Sequence, residues 1–478
     1  MQGSHGFQPQ TRTVIDLESF IPDDHFLRRV DRVLEMSFVR ELTARCYASR
    51  RGRPSIDPEV YFRMLLVAYL YSIASDRRLC DEVHFDLAYR WFCRLSLDDN
   101  VPDHSSLCHI RDRYGEEIHQ AVFHEIVKRC QEHGLVGENC CVMTDATLIP
   151  ADAALDSLVH NDLEQARREA EALQGRTKAI EPPATRHISN ETHSSRTDPD
   201  ATLAQKRGTP RKLKYKVHQS IDANSRVILD MHVTTGARND NQPYLEQLQR
   251  IEHRYGITIL KATADRVYGS AEIIRTLEQE QGKRTFISLW NNRAGNSKYL
   301  SCGLVYEKEH DRFRCPQGKH LTPNLAICRN HKRYVSSSAD CRDCPQASTC
   351  AAESRASSDQ RYLRRSLDQD LFEKVQARMR DPIFREWLSQ RMWKSEGSFA
   401  EAKQNHGHSR ARYRGRSNVQ IQAYLSAIVQ NLKRLVLTFW FWLLARWPRH
   451  KLRRPSLPTF SASRLFQHAR PYFDRRTP

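Results

Sequence analysis

The sequence predicts a mixed α/β core, preceded by an all-α N-terminal region and interrupted by a small cysteine-rich segment. Three observations carry that reading. Apolar residues recur at helical spacing through about the first 135 positions. From Cys140 the pattern switches to strand-like alternation, with intervening helical stretches. Between about residues 300 and 355 the cysteines crowd together, several of them at metal-ligand spacing.

The helical part begins where Asp23 and Asp24 precede Phe26, Leu27, Val30, Val33, Leu34, Phe38 and Leu42. A basic loop, Arg50-Arg51-Gly52-Arg53-Pro54, follows. Asp57-Pro58 opens a helix that buries Val60, Leu65, Leu66, Leu70 and Ile73, since proline tolerates the first turn and aspartate caps it. Further helices are predicted over Leu79–Tyr89 and from Ser105 to Gly115 or beyond. Such a succession suits either a helix-turn-helix or a small bundle.

In the second part, Val142, Thr144 and Ala146 alternate with Met143, Asp145 and Thr147, so Asp145 stands in mid-strand. Residues 155–210 are polar and predict an amphipathic helix and a flexible loop. Strands Tyr215–Ile221 and Arg226–Val233 flank the turn Asp222-Ala223-Asn224-Ser225, a hairpin signal. Then come a helix over Gln242–His253, a strand Leu260–Ala264 ending in Asp265, a helix from Ser270 and a strand Phe286–Trp290. A helical stretch over 367–405 leads into a basic end.

Composition narrows the function. The 478 residues suffice for two to four domains, and the net charge is +18. From Lys403 to Pro478 there are 16 Lys/Arg against one acid, Asp474, which accounts for +15 of that excess. Arginines there alternate with Tyr413, Trp440, Trp442, Trp447 and Tyr472, a pattern suited to a phosphate backbone. Thirteen cysteines, an odd number, and no charged-then-apolar leader argue against a disulfide scaffold and for a reducing cytoplasm. The apolar run Leu435–Trp447 contains Arg446 and is too short to span a bilayer, so no membrane role is expected.

Three acids stand out by their order. Asp145 lies within a strand, where a carboxylate is costly unless paired or metal-bound. Asp265 sits where a strand gives way to a glycine-containing turn, a usual place for site residues in α/β sheets. Glu396 shares a helix face with Phe399 and Lys403. Singly, each also reads as a cap, a turn former or a surface ion pair. Asp152 and Glu401 are the nearest rivals, the first outside the strand and the second on another helical face.

A carboxylate in a first strand, a hairpin, a helix, a carboxylate ending another strand and a carboxylate on a late helix follow the plan of an RNase H-like nucleotidyl-transfer core. The chain resembles bacterial insertion-sequence transposases of the DDE class that carry a cysteine-rich insertion. The resemblance rests on GRPSIDPEVYFRMLLVAYLY, VPDHSSLCHIRDR, VMTDATLIPADAA, THSSRTDPDATL, YKVHQSIDANSRVILDMHVTTGARND, ATADRVYGS, SEGSFAEAKQNHGHSRARYRG and QNLKRL, in family order from about residue 15 to 440. It implies that Asp145, Asp265 and Glu396 form a catalytic triad holding two Mg2+ (or Mn2+) ions. It also implies that Arg391 and Lys403 flank the glutamate. Arg410, Arg412 and Arg414 follow as phosphate-binding candidates. Trp387 and Ser395 depart from the tyrosine and the valine or isoleucine usual in relatives.

The expected organisation is a helical DNA-binding and assembly domain over 1–135, an RNase H-like catalytic core over 136–290, a cysteine-rich insertion over 291–366, the helix with the third acid over 367–440 and a basic extension over 441–478. The expected partner is double-stranded DNA, at terminal inverted repeats and target, bound by a homodimer. Cys315, Cys341, Cys344 and Cys350 could hold a structural zinc, with Cys302, Cys328, His310 and His320 as spare candidates. Cys46, Cys80, Cys93, Cys108, Cys130, Cys140 and Cys141 read as core. Two other functions suit the same residues: a DNA-binding relative without catalysis, and a zinc-dependent nucleic-acid-binding protein.

Overall fold

The computed structural model describes residues 14–48, 55–162, 188–206, 208–289, 302–328, 330–355 and 358–446. The loop 50–54, the segment 163–187 and the chain beyond Arg446, with Trp447 and Tyr472, lie outside the described residues.

The N-terminal part is helical, as its periodicity predicts. Helices α1 (Leu17–Phe20), α2 (Phe26–Val33) and α3 (Phe38–Thr43) are followed by α4 (Pro58–Leu70). Asp57 caps α4, accepting from the Glu59 N–H at 2.8 Å, with Pro58 at the first position. The span Leu79–Tyr89 is broken at Asp86, which ends α5 (Asp76–Phe85) and caps α6 (Leu87–Phe92). Helix α7 runs over His104–Glu132 with a break at Gly115, whose φ of 58° and ψ of −166° interrupt the helix.

Strand β1 covers Asn139–Pro150. Where a flexible loop is expected within 155–210, the described residues include short strands β2 (Leu158–His160), β3 (His193–Ser195) and β4 (Thr202–Ala204). β2 pairs with β3, and β4 is tied to β5 (Lys212–Asp222). The local reason is a buried acid, Asp198, which accepts from the Tyr215 hydroxyl and the Gly415 N–H. The hairpin is completed by β6 (Ile228–Thr235). Then follow α8 (Tyr244–Tyr255), β7 (Thr258–Ala264), α9 (Ala271–Arg275) and β8 (Arg284–Ile287).

The cysteine-rich segment is not irregular. It forms an antiparallel sheet of β9 (Val305–Glu307), β10 (Arg312–Arg314), β11 (His320–Cys328), β12 (His331–Val335), β13 (Glu353–Arg355) and β14 (Ser358–Ser366), with α10 over Ser338–Cys341. The helical stretch over 367–405 divides into α11 (Gln369–Arg378) and α12 (Pro382–Asn405), and α13 spans Arg416–Arg446. No helix among the described residues is long and apolar enough to cross a membrane.

The chain falls into two units. One comprises 1–137, 146–238 and 397–478, with α1–α7, β2–β6 and α13; the other comprises 138–145 and 239–396. β1 and α12 run through both. Strands are antiparallel around β5 in the first unit and parallel along β1, β7 and β8 in the second, so the fold is mixed α/β. Of the cysteines expected in the core, Cys93, Cys130 and Cys140 are buried. Cys46, Cys80, Cys108 and Cys141 are only partly buried.

In the first unit α13 carries an unusual row of buried amides. Among the described residues β6 pairs only with β5, and no described strand lies on its other edge. Gln420 accepts from the Val233 N–H at 2.7 Å and donates to the Met231 carbonyl at 2.9 Å. Asn431, three turns on, accepts from the Ile228 N–H at 2.8 Å and donates to its carbonyl at 2.9 Å. These side chains satisfy the strand edge as a neighbouring strand would. Asn431→Leu keeps the branched side-chain framework but strands two buried backbone groups, and should lower unfolding free energy by about 1–3 kcal/mol in urea titration.

His119 is buried in the helical part, between the Tyr61 hydroxyl at Nε2 (3.0 Å) and the Gly115 carbonyl at Nδ1 (2.7 Å). Burial brings its pKa down to about 4, with the Gly115 carbonyl opposing and Arg111 adding to the fall. The unfolded chain therefore takes a proton below pH 6.5 that the folded chain refuses until about pH 4. Stability should drop as pH falls through that window, by up to about 1.4 kcal/mol per pH unit from this group. His119→Gln should flatten the slope of stability against pH between 6.5 and 4.5; an unchanged slope would refute the assignment.

Candidate active site

The parallel pairing of β1 and β7 sets up the site. Cys141, Val142 and Met143 stand opposite Lys261, Ala262 and Thr263. Two residues past the last pair on each strand come Asp145 and Asp265, so one register delivers both acids to the same end of the ladder. Asp265 also caps the turn Arg266–Tyr268, accepting from the Arg266 N–H at 2.7 Å. Its reading as a cap and its reading as a site residue both hold.

Arg391 on α12 joins the two acids. Its Nη1 lies 3.1 Å from Asp145 Oδ2, and its Nη2 lies 4.0 Å from Asp265 Oδ1. The arginine side chain is 10% exposed, Asp145 20% and Asp265 47%, so the shared cation sits at the inner end of the pair. The contact is ionic in character, because buried Nε and Nη1 make no hydrogen bond. Trp387, one turn earlier on α12, stacks on Phe286 of β8 with ring centres 5.1 Å apart and planes at 16°. The Lys261 ammonium stands 4.9 Å from the same ring. The aromatic thus holds α12 against the parallel strands, one turn before Arg391.

Glu396 is exposed on α12. Five residues separate it from Arg391, which on a helix turns it about 140° away. Ser395, at the i+4 position, faces the buried side with an unpaired hydroxyl. Among the described residues, no three His, Cys, Asp or Glu side chains gather closely enough to hold a metal ion. Asp145 and Asp265 are hard oxygen donors of the kind magnesium prefers, and they come together; Glu396 does not join them.

The sequence reading missed Tyr268. Its ring is buried against Tyr244 at 4.8 Å, and its hydroxyl makes no hydrogen bond. Burial, with the negative charges of Asp240, Asp145 and Asp265, holds the phenol well above its ordinary pKa and keeps it neutral. Its signal was the position directly before Gly269 in ATADRVYGS.

The remaining basic candidates belong to the first unit. Lys403 donates to Thr147 Oγ1 at 2.7 Å. Arg410 and Arg414 both pair with Asp152, at 2.8 and 3.3 Å, and Arg412 lies over the Tyr69 ring at 4.5 Å. This accounts for Asp152 as an arginine partner. The other rival, Glu401, is gripped by Lys433 at 2.8 Å and by His406 and Arg434 at 3.5 Å each. Burial alone would raise its pKa, but His406 and the two cations hold it well below the usual carboxylate range.

Cys315, Cys341, Cys344 and Cys350 line a single cavity of about 350 Å³ in the β9–β14 module, and Cys302 joins them. The Cys328 side chain lies outside what is described.

Two family models match the chain. A "Transposase domain (DUF772)" covers residues 15–113, the span of α1–α6 and the start of α7, and a "Transposase DDE domain" covers 314–436, with Arg391, Glu396 and Lys403. A similar solved structure is the cryo-EM structure of a piggyBac transposase synaptic complex with hairpin DNA. It is 10% identical, with 89% of this chain and 82% of that one aligned at a TM-score of 0.32. No curated protein matches. Two transposase models in succession, the second of them the DDE domain itself, identify the chain as a DNA transposase of the DDE class.

Proposed function

We propose that Asp145, Asp265 and Glu396 are the acids of an RNase H-like catalytic core, and that this chain cleaves the terminal inverted repeats of an insertion sequence and joins the freed ends to target DNA. The observation that carries the reading is the pair Asp145–Asp265, set by one strand register and bridged by Arg391. The family match supports the chemistry.

In the reaction, a water oxygen or a DNA 3′-hydroxyl attacks phosphorus in line. One phosphorus–oxygen bond forms as another breaks, and the 3′-oxygen leaves with a proton. No covalent protein intermediate is required. Asp145 and Asp265 would hold the magnesium or manganese ions, and Glu396, which stands apart from them here, would complete the set only if α12 brought it to them. When bound, such hard cations supply Lewis-acid charge to the phosphoryl and leaving oxygens. Arg391 holds the two aspartates side by side. Lys403 and the arginines Arg410, Arg412 and Arg414 would grip flanking phosphates, Lys403 as a point charge and the arginines as forks. The N-terminal helices and the basic extension would bind and align two DNA ends in a homodimer.

Asp145→Ala, Asp265→Ala and Glu396→Ala should each reduce cleavage of an inverted-repeat substrate by at least about a hundredfold, with end binding preserved. Efficient cleavage by any of the three, in magnesium or manganese, would remove that residue from the triad. A chain ending at Pro448 loses the eight Lys/Arg of residues 449–478. Its plot of log affinity against log salt should flatten by about 0.9 for each phosphate that the shortened chain no longer neutralises; an unchanged slope would show that the extension does not touch DNA.

A further inference from the structure

The cysteine-bearing module has few means of holding itself together. Its apolar cluster consists of Leu304, Phe313, Leu321, Tyr334, Ala352 and Leu363. A core of that size rarely stabilises a small module without a staple. Three chain turns converge beside it. Cys315 opens a tight turn, its N–H bonded to the Lys319 carbonyl at 2.8 Å and its carbonyl to the Gly318 N–H at 2.9 Å. Gly318 has φ +73° there, a conformation that favours glycine. A second turn holds Cys302 and Gly303, and a β-carbon on Gly303 would lie 2.8 Å from Pro316, so these two turns touch. Cys341 ends α10, and Cys344 follows it in a turn closed by the Ala347 N–H at 3.0 Å. Cys350 completes the ring around the cavity.

We propose that this cavity takes up one Zn2+ as a tetrathiolate of Cys315, Cys341, Cys344 and Cys350, with Cys302 left outside the ligand set. Cys315 and Cys350 pack against the apolar cluster, and Cys341 and Cys344 supply a CxxC pair at metal-ligand spacing. The Cys302 thiol donates to the Thr349 carbonyl at 3.2 Å, and the Cys341 thiol donates to Ser336 Oγ at 3.2 Å, a bond that metal binding would replace. Binding releases four thiol protons to solvent and leaves a centre of net charge −2. Lys319 and Arg361 line the same cavity and offset part of that charge, Lys319 also pairing with Asp340 of the lining at 3.1 Å. Soft thiolates in a tetrahedral set select zinc over the hard cations suited to aspartates. The sulfurs are not yet gathered within one coordination sphere, so uptake draws them inward to about 2.3 Å and tightens the three turns. The site is separate from the catalytic acids, and its failure would leave the strand-cleavage reading untouched.

The test uses the full chain purified without chelators, read by elemental analysis and by the absorption of the cobalt-substituted protein. The expected result is one zinc per chain and intense thiolate-to-cobalt bands. Cys302→Ser should keep both, while Cys315→Ser, Cys350→Ser and the double variant Cys341→Ser/Cys344→Ser should lose the metal. The double variant should also be cut faster by protease within residues 302–355. The wild-type measurements need no variant to fold, and absence of zinc there, with no cobalt bands on reconstitution, overturns the proposal. Loss of metal in Cys302→Ser, or its retention in the double variant, overturns the ligand assignment.

Discussion

Two carboxylates at matching positions on adjacent parallel strands repel each other, and partial burial sharpens the repulsion. The fold resolves this conflict with a shared cation. Arg391 reaches both Asp145 and Asp265 from α12, and Trp387 one turn earlier presses that helix onto β8. Strand register, helix docking and charge balance therefore constrain one another. A slip of one residue between β1 and β7 would part the acids. A shift of α12 would take Arg391 away from them and leave the two carboxylates without their shared counter-charge.

The first unit meets a different constraint with similar means. A strand edge covered by a helix must still satisfy its backbone groups. Gln420 and Asn431 do this for β6, Gln422 ties down the carbonyls of Gly407 and Arg410, and Gln430 takes the Ser398 hydroxyl, which itself accepts from Gln219. Buried amides of this kind are demanding, since each must be satisfied at both ends. They give the late motif QNLKRL a structural reason alongside its place in the family pattern: Gln430 and Asn431 face the buried side, while Lys433 and Arg434 close on Glu401.

The conspicuous charged residues thus divide by their partners. Asp152 and Glu401 are bound to cations of their own, and their ion pairs organise the segment after α12. Asp145 and Asp265 share Arg391 beside a neutral phenol, Tyr268, whose hydroxyl is unpaired.

The sequence by itself determined the class of fold, the transposase family and most of the elements, because helical and strand periodicity and the family motifs are local properties of the chain. Asp145 in mid-strand, Asp265 at a strand end and the cap Asp57-Pro58 were all legible in this way. Tertiary structure decided what depends on distant partners. Only the β1–β7 register sets the two aspartates side by side, and only the docking of α12 shows that Arg391 joins them while Glu396, about 140° round the helix, does not. The break at Asp86, the strands β3 and β4, and the gathering of Cys302 with four other thiols around one cavity likewise follow from long-range packing. Spacing along a chain records which residues can share a face, whereas adjacency between faces is settled by the packing of the whole fold.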